Sequence, residues 1–456
     1  MKKHMTLKSI NPYTGRLIKE YREITDTEAG KILEQSSSVF AEWKNTSFRA
    51  RKSLMEKAAG LLRSNSGVYA VSITSEMGKP IKESLAEVEK CAWVCEYYAE
   101  NAERFLKKEI IDTDADTSYV KYEPLGTVLG IMPWNFPFWQ VFRFAVPTLM
   151  AGNIVLLKHA SNVQGCASHI ETIFSEAGFP EGVFRNLVLG SAKIEKIIRN
   201  DIVKAVSLTG SEPAGKKVAA AAGDSLKKCV LELGGSNAFI VFEDADIGKA
   251  VETAVKARFQ NAGQSCIAAK RFIIDRKISV EFISLFVEAV RKIKAGDPAD
   301  ENTEIGPLCN IQQAVNVEDQ VRRSVAMGAR VIEGGQRKDA IYRPTVVVDV
   351  RPGMPLFDEE VFGPVAPLTI ADTTEQAIEL AGETRFGLGV SLFTSDIKKG
   401  EELAGKFHDG AVFINGLVKS DPRLPFGGTR NSGYGRELSF HGIREFVNVK
   451  TIWAKK

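Results

Sequence analysis

Between residues 152 and 243 short apolar runs alternate with longer amphipathic ones. "GNIVLLKHA" reads as a buried strand and "CASHIETIFSEAG" as a helix. "VFRNLVLG" and "AKIEKIIRN" repeat the pair, as do "KAVSLTG" and "EPAGKKVAAAAG", and "CVLELGG" and "NAFIVFE" add strands. Strands alternating with helices satisfy both sheet faces by running parallel, with helices packed on each side. The rhythm therefore predicts a doubly wound α/β fold. It resumes with "RFIID", "ISVEFISLFVEAVRKIKAG", "RPTVVVDV", "VAPLTIAD", "GVSLFT" and "GAVFING". Two α/β domains are expected in succession, changing over near residues 233–260. Upstream, residues 25–101 are helix-rich, opening on the Thr/Asp cap signal of "TDTEAGKILEQSSSVFAEWK".

A chain of 456 residues with 44% hydrophobic types can fill that many layers. Its 60 basic and 57 acidic residues are interleaved, and no basic tract argues for nucleic acid or a membrane surface. The basic start "MKKHM" runs into "TLKSINPYTG" rather than an apolar stretch, so no secretory signal is expected, and no run reaches the ~18 apolar residues of a membrane span. The six cysteines contain no C-x-x-C pair, and Cys91 and Cys95 share a helix face as core residues. A reduced, cytoplasmic protein is expected. The five histidines are scattered, so no metal site is expected.

Against this background "FQNAGQSCIAAKR", residues 259–271, is unusual. Cys266 sits in a polar, glycine-containing turn, with only Ala268 and Ala269 after Ile267, so little bulk shields its sulfur. In "CVLELGG", Glu232 occupies an apolar strand. A buried carboxylate is either paired to a base or held at a raised pKa, where it suits general-base work. In "MPWNFPFWQVFRF", Pro133 and Pro137 bracket a turn whose one side-chain amide is Asn135, a candidate oxyanion donor. Arg143, eight residues on, is an isolated charge in an aromatic run. It requires an anion, either an internal carboxylate or one on a substrate. "VSLTGSEPAGKK" ends a strand in Thr209-Gly210-Ser211 and starts a helix, which fits either an ordinary turn or a phosphate site. Lys158 stands at a strand's carboxyl end, where open α/β sheets bind ligands.

These stretches, with "EEVFGPVAP" and "LPFGGTRNSGYGRE" and in this order, resemble the aldehyde dehydrogenase superfamily over nearly the whole chain. The resemblance implies a cofactor domain (1–106 and 124–233), a catalytic domain (234–434) and a small β bridge for oligomerisation (107–123 and 435–456). It implies Cys266 as nucleophile, Glu232 as general base, and Asn135 with the Cys266 N–H as oxyanion hole. Cofactor contacts are implied for Ile131, Pro133, Trp134, Lys158, Ser161, Thr209, Gly210, Ser211, Leu233, Glu360 and Phe362.

Departures carry information. The usual K-P-A is K-H-A, with His159. Where NAD-preferring members often carry Glu, this chain has Ser161, removing repulsion toward a 2′-phosphate. NAD or NADP is therefore the expected cofactor, with NADP accepted. Arg430 replaces a lysine, and Ala268 excludes a Cys-x-Cys switch. The chain looks most similar to the succinate-semialdehyde branch. That likeness implies an aldehyde bearing a carboxylate, with Arg143 gripping it, Ser420 and Arg423 assisting, and Trp139 and Phe136 lining the tunnel. A homodimer or homotetramer is implied. The alternatives are an aldehyde dehydrogenase for another small aliphatic aldehyde, CoA-acylating chemistry, disfavoured by Glu232, a cysteine hydrolase, whose one candidate histidine is His159, and a non-catalytic protein on the same fold, which nothing in the sequence favours.

Overall fold

The computed structural model describes residues 6–456, and the basic start at residues 1–5 lies outside the described residues. A six-stranded sheet runs in the order Gly433–Tyr434, Lys228–Glu232, Val203–Thr209, Thr127–Met132, Ile154–His159, Phe184–Asn186. All its neighbours are parallel except Gly433–Tyr434, which returns from the far end of the chain antiparallel to Lys228–Glu232. Its central strands are buried on both faces, which is why they read as unbroken apolar runs instead of alternating ones. The helices Gln164–Glu176 and Glu212–Asp224 cover opposite connections of this sheet.

A seven-stranded sheet follows, in the order Arg330–Glu333, Thr345–Val348, Val365–Ala371, Ala269–Asp275, Asn237–Val241, Val390–Phe393, Val412–Ile414. Only the edge strand Arg330–Glu333 is antiparallel. A separate three-stranded sheet pairs Val447–Ala454 antiparallel with Thr117–Pro124, which in turn pairs with Glu109–Ile110. It leaves Ile110, Val449 and Trp453 exposed.

The helices upstream form a layer of their own. Helix Asp26–Trp43 opens on a capping box in which Thr25 and Glu28 satisfy each other's backbone N–H groups. Helix Ile81–Phe105 buries Val88, Cys91, Cys95, Tyr98 and Ala102 at three- and four-residue spacing, so both cysteines are core residues.

The crossing between sheets is short. Glu232 ends a strand of the first sheet and Asn237 begins one of the second, so four residues make the passage. Thr209 and Glu232 thus lie at carboxyl ends of the first sheet. Cys266 lies just ahead of Ala269–Asp275, and Phe362 ahead of Val365–Ala371, both at amino ends of the second. Their loops meet where the two sheets abut.

Candidate active site

Two loops latch onto each other at this junction. Helix Ile247–Phe259 breaks, and Asn261 and Ala262 take left-handed backbone angles, φ 53° and 52°. The Asn261 amide Nδ2 donates to the carbonyl of Asn135 at 2.8 Å, and Asn135 Nδ2 donates to the carbonyl of Gln264 at 3.1 Å. Asn135 is 4% exposed, and its second amide N–H is unspent. Among the described residues the backbone N–H of Cys266 binds no acceptor either. Two donors therefore remain for an oxyanion beside the half-buried sulfur. Burial pushes the Cys266 thiol up to about 11, against the pull of Arg143 and Lys270.

Lys270, which sequence reading passed over, organises this loop. Fully buried, it donates to the carbonyls of Gly235 (2.7 Å) and Cys266 (2.9 Å) and to Glu360 Oε1 (2.9 Å). Glu360 also accepts the Gly235 N–H at 3.1 Å. One ammonium thus joins the cysteine loop, the E-L-G-G crossing and the E-V-F-G-P loop. Its position four residues past the cysteine was the available signal.

Glu232 is 2% exposed, and burial drives its carboxyl well above the ordinary value, with Arg143 opposing and Glu437 reinforcing the shift. The carboxylate does not lie on the cavity wall with Cys266. Its Oε1 has no hydrogen-bond partner among the described residues and points to Gly427, where a Cβ would stand 2.7 Å away. The cationic Arg143 and the glycine-made space draw it there. Arg143 itself pairs with Glu437, and its guanidinium donates to Thr209 Oγ1 at 3.3 Å. This corrects the expectation of Arg143 as substrate clamp: the buried cation found its anion inside the protein, in a residue read only as loop.

His159 explains the K-H-A departure. Fully buried, it accepts the Ala160 N–H at 2.9 Å and donates through Nε2 to the carbonyl of Pro137 at 2.8 Å. Burial holds it down to about 4, so it is a neutral strut under the loop that carries Asn135. With both nitrogens engaged it cannot serve as a hydrolase base.

The residues read as cofactor contacts offer a matching set of free groups. Lys158, 8% exposed, has no carboxylate within ion-pair distance among the described residues, and burial lowers its pKa. Ser161 is half-buried, and its hydroxyl forms no hydrogen bond among the described residues. Ser211 is the N-cap of helix Glu212–Asp224, yet its hydroxyl caps nothing. That helix packs close: a Cβ on Gly215 would stand 2.6 Å from Leu233. Gly210 donates to the Glu232 carbonyl at 3.0 Å, fixing the turn. Trp134 meets Phe362 edge to face at 5.8 Å. Ile131 and Met132 end the strand Thr127–Met132, and Pro133 follows. A buried lysine outside any ion pair, unspent hydroxyls and a helix start fit a dinucleotide bearing an extra phosphate.

Cys266 opens onto a cavity of about 620 Å³ walled by Phe136, Trp139, Gln140, Phe259, Ile267 and Phe426, among others. Ser420 lies on it as expected. Arg423 does not: it pairs with Asp421 at 2.7 Å and leaves 65% of its side chain in water. Lys90, unremarked in the sequence because it sits in an amphipathic helix, projects into this cavity. Among the described residues no cluster of His, Cys, Asp or Glu could hold a metal ion, and no helix is long and apolar enough to cross a membrane.

The same arrangement is found in known proteins. Residues 1–452 match the aldehyde dehydrogenase family. The chain is 47% identical over 452 residues to a probable succinate-semialdehyde dehydrogenase [NADP(+)] of Synechocystis sp., covering 98% of this chain and 100% of that protein. It is 46% identical over 455 residues to succinate-semialdehyde dehydrogenase [NADP(+)] 1 of Mycobacterium tuberculosis, covering 98% and 100%. The crystal structure of succinic semialdehyde dehydrogenase from Streptococcus pyogenes, in complex with NADP+, superposes with TM-score 0.96 at 35% identity, covering 99% and 100%. The fold is thus shared with these enzymes, and this chain belongs to the aldehyde dehydrogenase family.

Proposed function

We propose that this chain oxidises succinic semialdehyde to succinate with NADP+. The observation that carries the reading is the cavity itself. Cys266 lies on it, and, with Arg143 already paired to Glu437, the lining includes Lys82, Lys90, Lys256 and Lys419 against three carboxylates, Glu83, Glu87 and Glu304. Glu87 is neutralised by Lys79. Such a lining favours a small aldehyde carrying negative charge. Relatives of nearly the same length bear the matching names.

Chemically, the Cys266 sulfur bonds to the aldehyde carbon, giving a thiohemiacetal whose oxygen takes the free N–H groups of Asn135 and Cys266. The bound nicotinamide supplies the hydride acceptor. Loss of that hydride leaves an acyl group on Cys266 as a thioester, which water cleaves to the acid and free thiol. Glu232 takes the proton of the thiol and releases it to solvent, then takes a proton from the attacking water and returns it to the departing Cys266 sulfur. It does so by turning from Gly427 toward the cavity, and its raised pKa makes it a proton acceptor matched to the task. Lys158 and Ser161 would hold the 2′-phosphate and Ser211 the diphosphate. Ser420 and the rings of Phe136 and Trp139 would line the substrate. The edge strands Glu109–Ile110 and Val447–Ala454, which leave Ile110, Val449 and Trp453 in water, support a homodimer or homotetramer, and the chain is read as cytoplasmic.

Steady-state rates with succinic semialdehyde and with butanal, each under NADP+ and NAD+ and without CoA, test the reading. Succinate as product, formed fastest with NADP+, is the expected result. Equal use of butanal, or a requirement for CoA, refutes it.

A further inference from the structure

The start of helix Ile81–Phe105 reaches two loops at once. Glu83, in its first turn, accepts the Asn261 N–H through Oε2 at 2.8 Å. Glu87, one turn on, accepts the N–H groups of Phe138 and Trp139 through Oε1 at 2.8 and 3.0 Å. The first bond holds the loop that leads to Cys266. The second holds the start of helix Trp139–Met150, just after Asn135. Asn261 and Asn135 then tie the two loops to each other. The helix itself is fixed. The Ile81 N–H donates to the Pro298 carbonyl at 2.9 Å, the buried hydroxyls of Ser84 and Thr74 meet at 2.9 Å, and Val88, Cys91 and Cys95 lie in the core.

The two carboxylates differ in how their charge is held. Glu87 is buried and paired with Lys79, whose ammonium lies 3.7 Å from the Phe136 ring centre. Glu83 is half-buried and forms no ion pair among the described residues. The other charged groups on the cavity are committed elsewhere or stand in water. Lys82 and Lys419 are exposed, Lys90 donates to Ser420, and Arg143 pairs with Glu437. On helix Ile247–Phe259, Lys256 pairs with Glu252 and Arg258 donates to the carbonyls of Ala269 and Val361. Glu304 accepts the Lys294 N–H. Burial pushes the Glu83 carboxyl up to about 7, against Lys79 and the Asn261 N–H, and Glu87 adds to the rise. What Glu83 holds needs holding. Asn261 and Ala262 are successive left-handed residues without being glycine, a conformation that persists only where the surroundings impose it. An ionised acceptor grips an N–H about twice as strongly as a neutral one.

We propose that Glu83 is a positioning residue for the oxidation: its ionised carboxylate, acting through the Asn261 N–H, sets the Cys266 loop against Asn135, and protonation slackens that grip. This rests on the reading of Cys266 as nucleophile and Asn135 as oxyanion donor. Glu83 acts on the loop and not on the aldehyde, so its effect is the same for every aldehyde the enzyme turns over.

The test is the ratio of kcat/KM in the wild type to that in E83Q, measured with succinic semialdehyde and with butanal at saturating NADP+ from about pH 6 to about pH 8.5. Cys266 and Glu232 titrate in both proteins, so their effects cancel in the ratio. The glutamine oxygen can accept the same N–H but never ionises. The ratio should therefore lie near unity at the acid end and climb about 5- to 10-fold, with its midpoint near pH 7 and to the same extent for both aldehydes. NADP+ affinity, read by quenching of tryptophan fluorescence, should stay within about twofold. E83A offers no acceptor at all. It should show the same climb above a constant deficit, and it keeps the test decisive if the melting temperature shows E83Q to be unfolded. In an active enzyme, a ratio that stays flat with pH, or that climbs for one aldehyde alone, overturns the role of Glu83. A wild type that reduces no NADP+ with either aldehyde overturns the reading of Cys266 and this inference with it.

Discussion

The ammonium of Lys270 lies 2.9 Å from the backbone oxygen of Cys266 and 2.9 Å from Glu360 Oε1, with no exposed surface of its own. The position of Cys266 is therefore set by a cation four residues downstream that also holds a loop about 95 residues away. Substituting Lys270 by Met removes three hydrogen bonds at once and leaves Glu360 without its cation. We expect a loss of about 2–4 kcal/mol in stability, read by denaturant unfolding. Lys270 also helps pull the Cys266 thiol down. The variant should accordingly alkylate more slowly with iodoacetamide at pH 8, measured under conditions where it is folded.

In the proposed reaction Cys266→Ala removes the atom on which the thiohemiacetal and thioester form. Turnover should fall by at least about a thousandfold. The cofactor contacts come from other loops, so NADP+ affinity, followed by quenching of tryptophan fluorescence, should change by less than about threefold. Near-normal reduction of the cofactor by this variant would end the assignment.

How much of this was legible in the sequence depended on range. Strand runs such as "IVLLKH" declare themselves because a strand buried on both faces must be apolar throughout, and each is a local property. Cys266 was legible because a thiol in a polar turn contradicts its usual use as core filler. Arg143 was legible as a buried cation in search of an anion, but its partner Glu437 lies 294 residues away in a loop whose composition says nothing of pairing. Lys90 was hidden for a related reason. A lysine in an amphipathic helix reads as solvated, and only the approach of Ser420, 330 residues on, shows otherwise. Arg423 misled because a charge near the C-terminal motif reads as available when Asp421, two residues before it, had already claimed it.

Ser161→Glu places a carboxylate beside Lys158, whose charge is now free of any ion pair among the described residues. The new carboxylate would neutralise the lysine and repel a 2′-phosphate, while accepting a hydrogen bond from a 2′-hydroxyl. KM for NADP+ should rise about 10- to 100-fold, and that for NAD+ should fall. Initial rates over a range of each dinucleotide at fixed aldehyde measure the switch. A variant that still favours NADP+ as strongly as the wild type would place the 2′-phosphate elsewhere.

His159 gives the fold a specific sensitivity to acid. Burial favours its neutral form and holds its pKa down to about 4 from an ordinary 6.5. As pH falls below 6.5 the unfolded chain takes up a proton at this position that the folded one refuses until about pH 4. The stability conferred by the neutral ring is thus complete above 6.5 and is lost progressively on descending to 4. Between pH 7 and pH 5 this one group should remove about 2 kcal/mol. His159→Gln keeps a side-chain donor for the Pro137 carbonyl but does not titrate. The urea midpoint of the wild type should therefore drop more steeply from pH 7 to pH 5 than that of the variant, by an amount corresponding to that ~2 kcal/mol. Parallel slopes for the two proteins would mean that the ring takes up its proton in the fold as readily as in the unfolded chain, and that the strut beneath the Asn135 loop is charged already at pH 5.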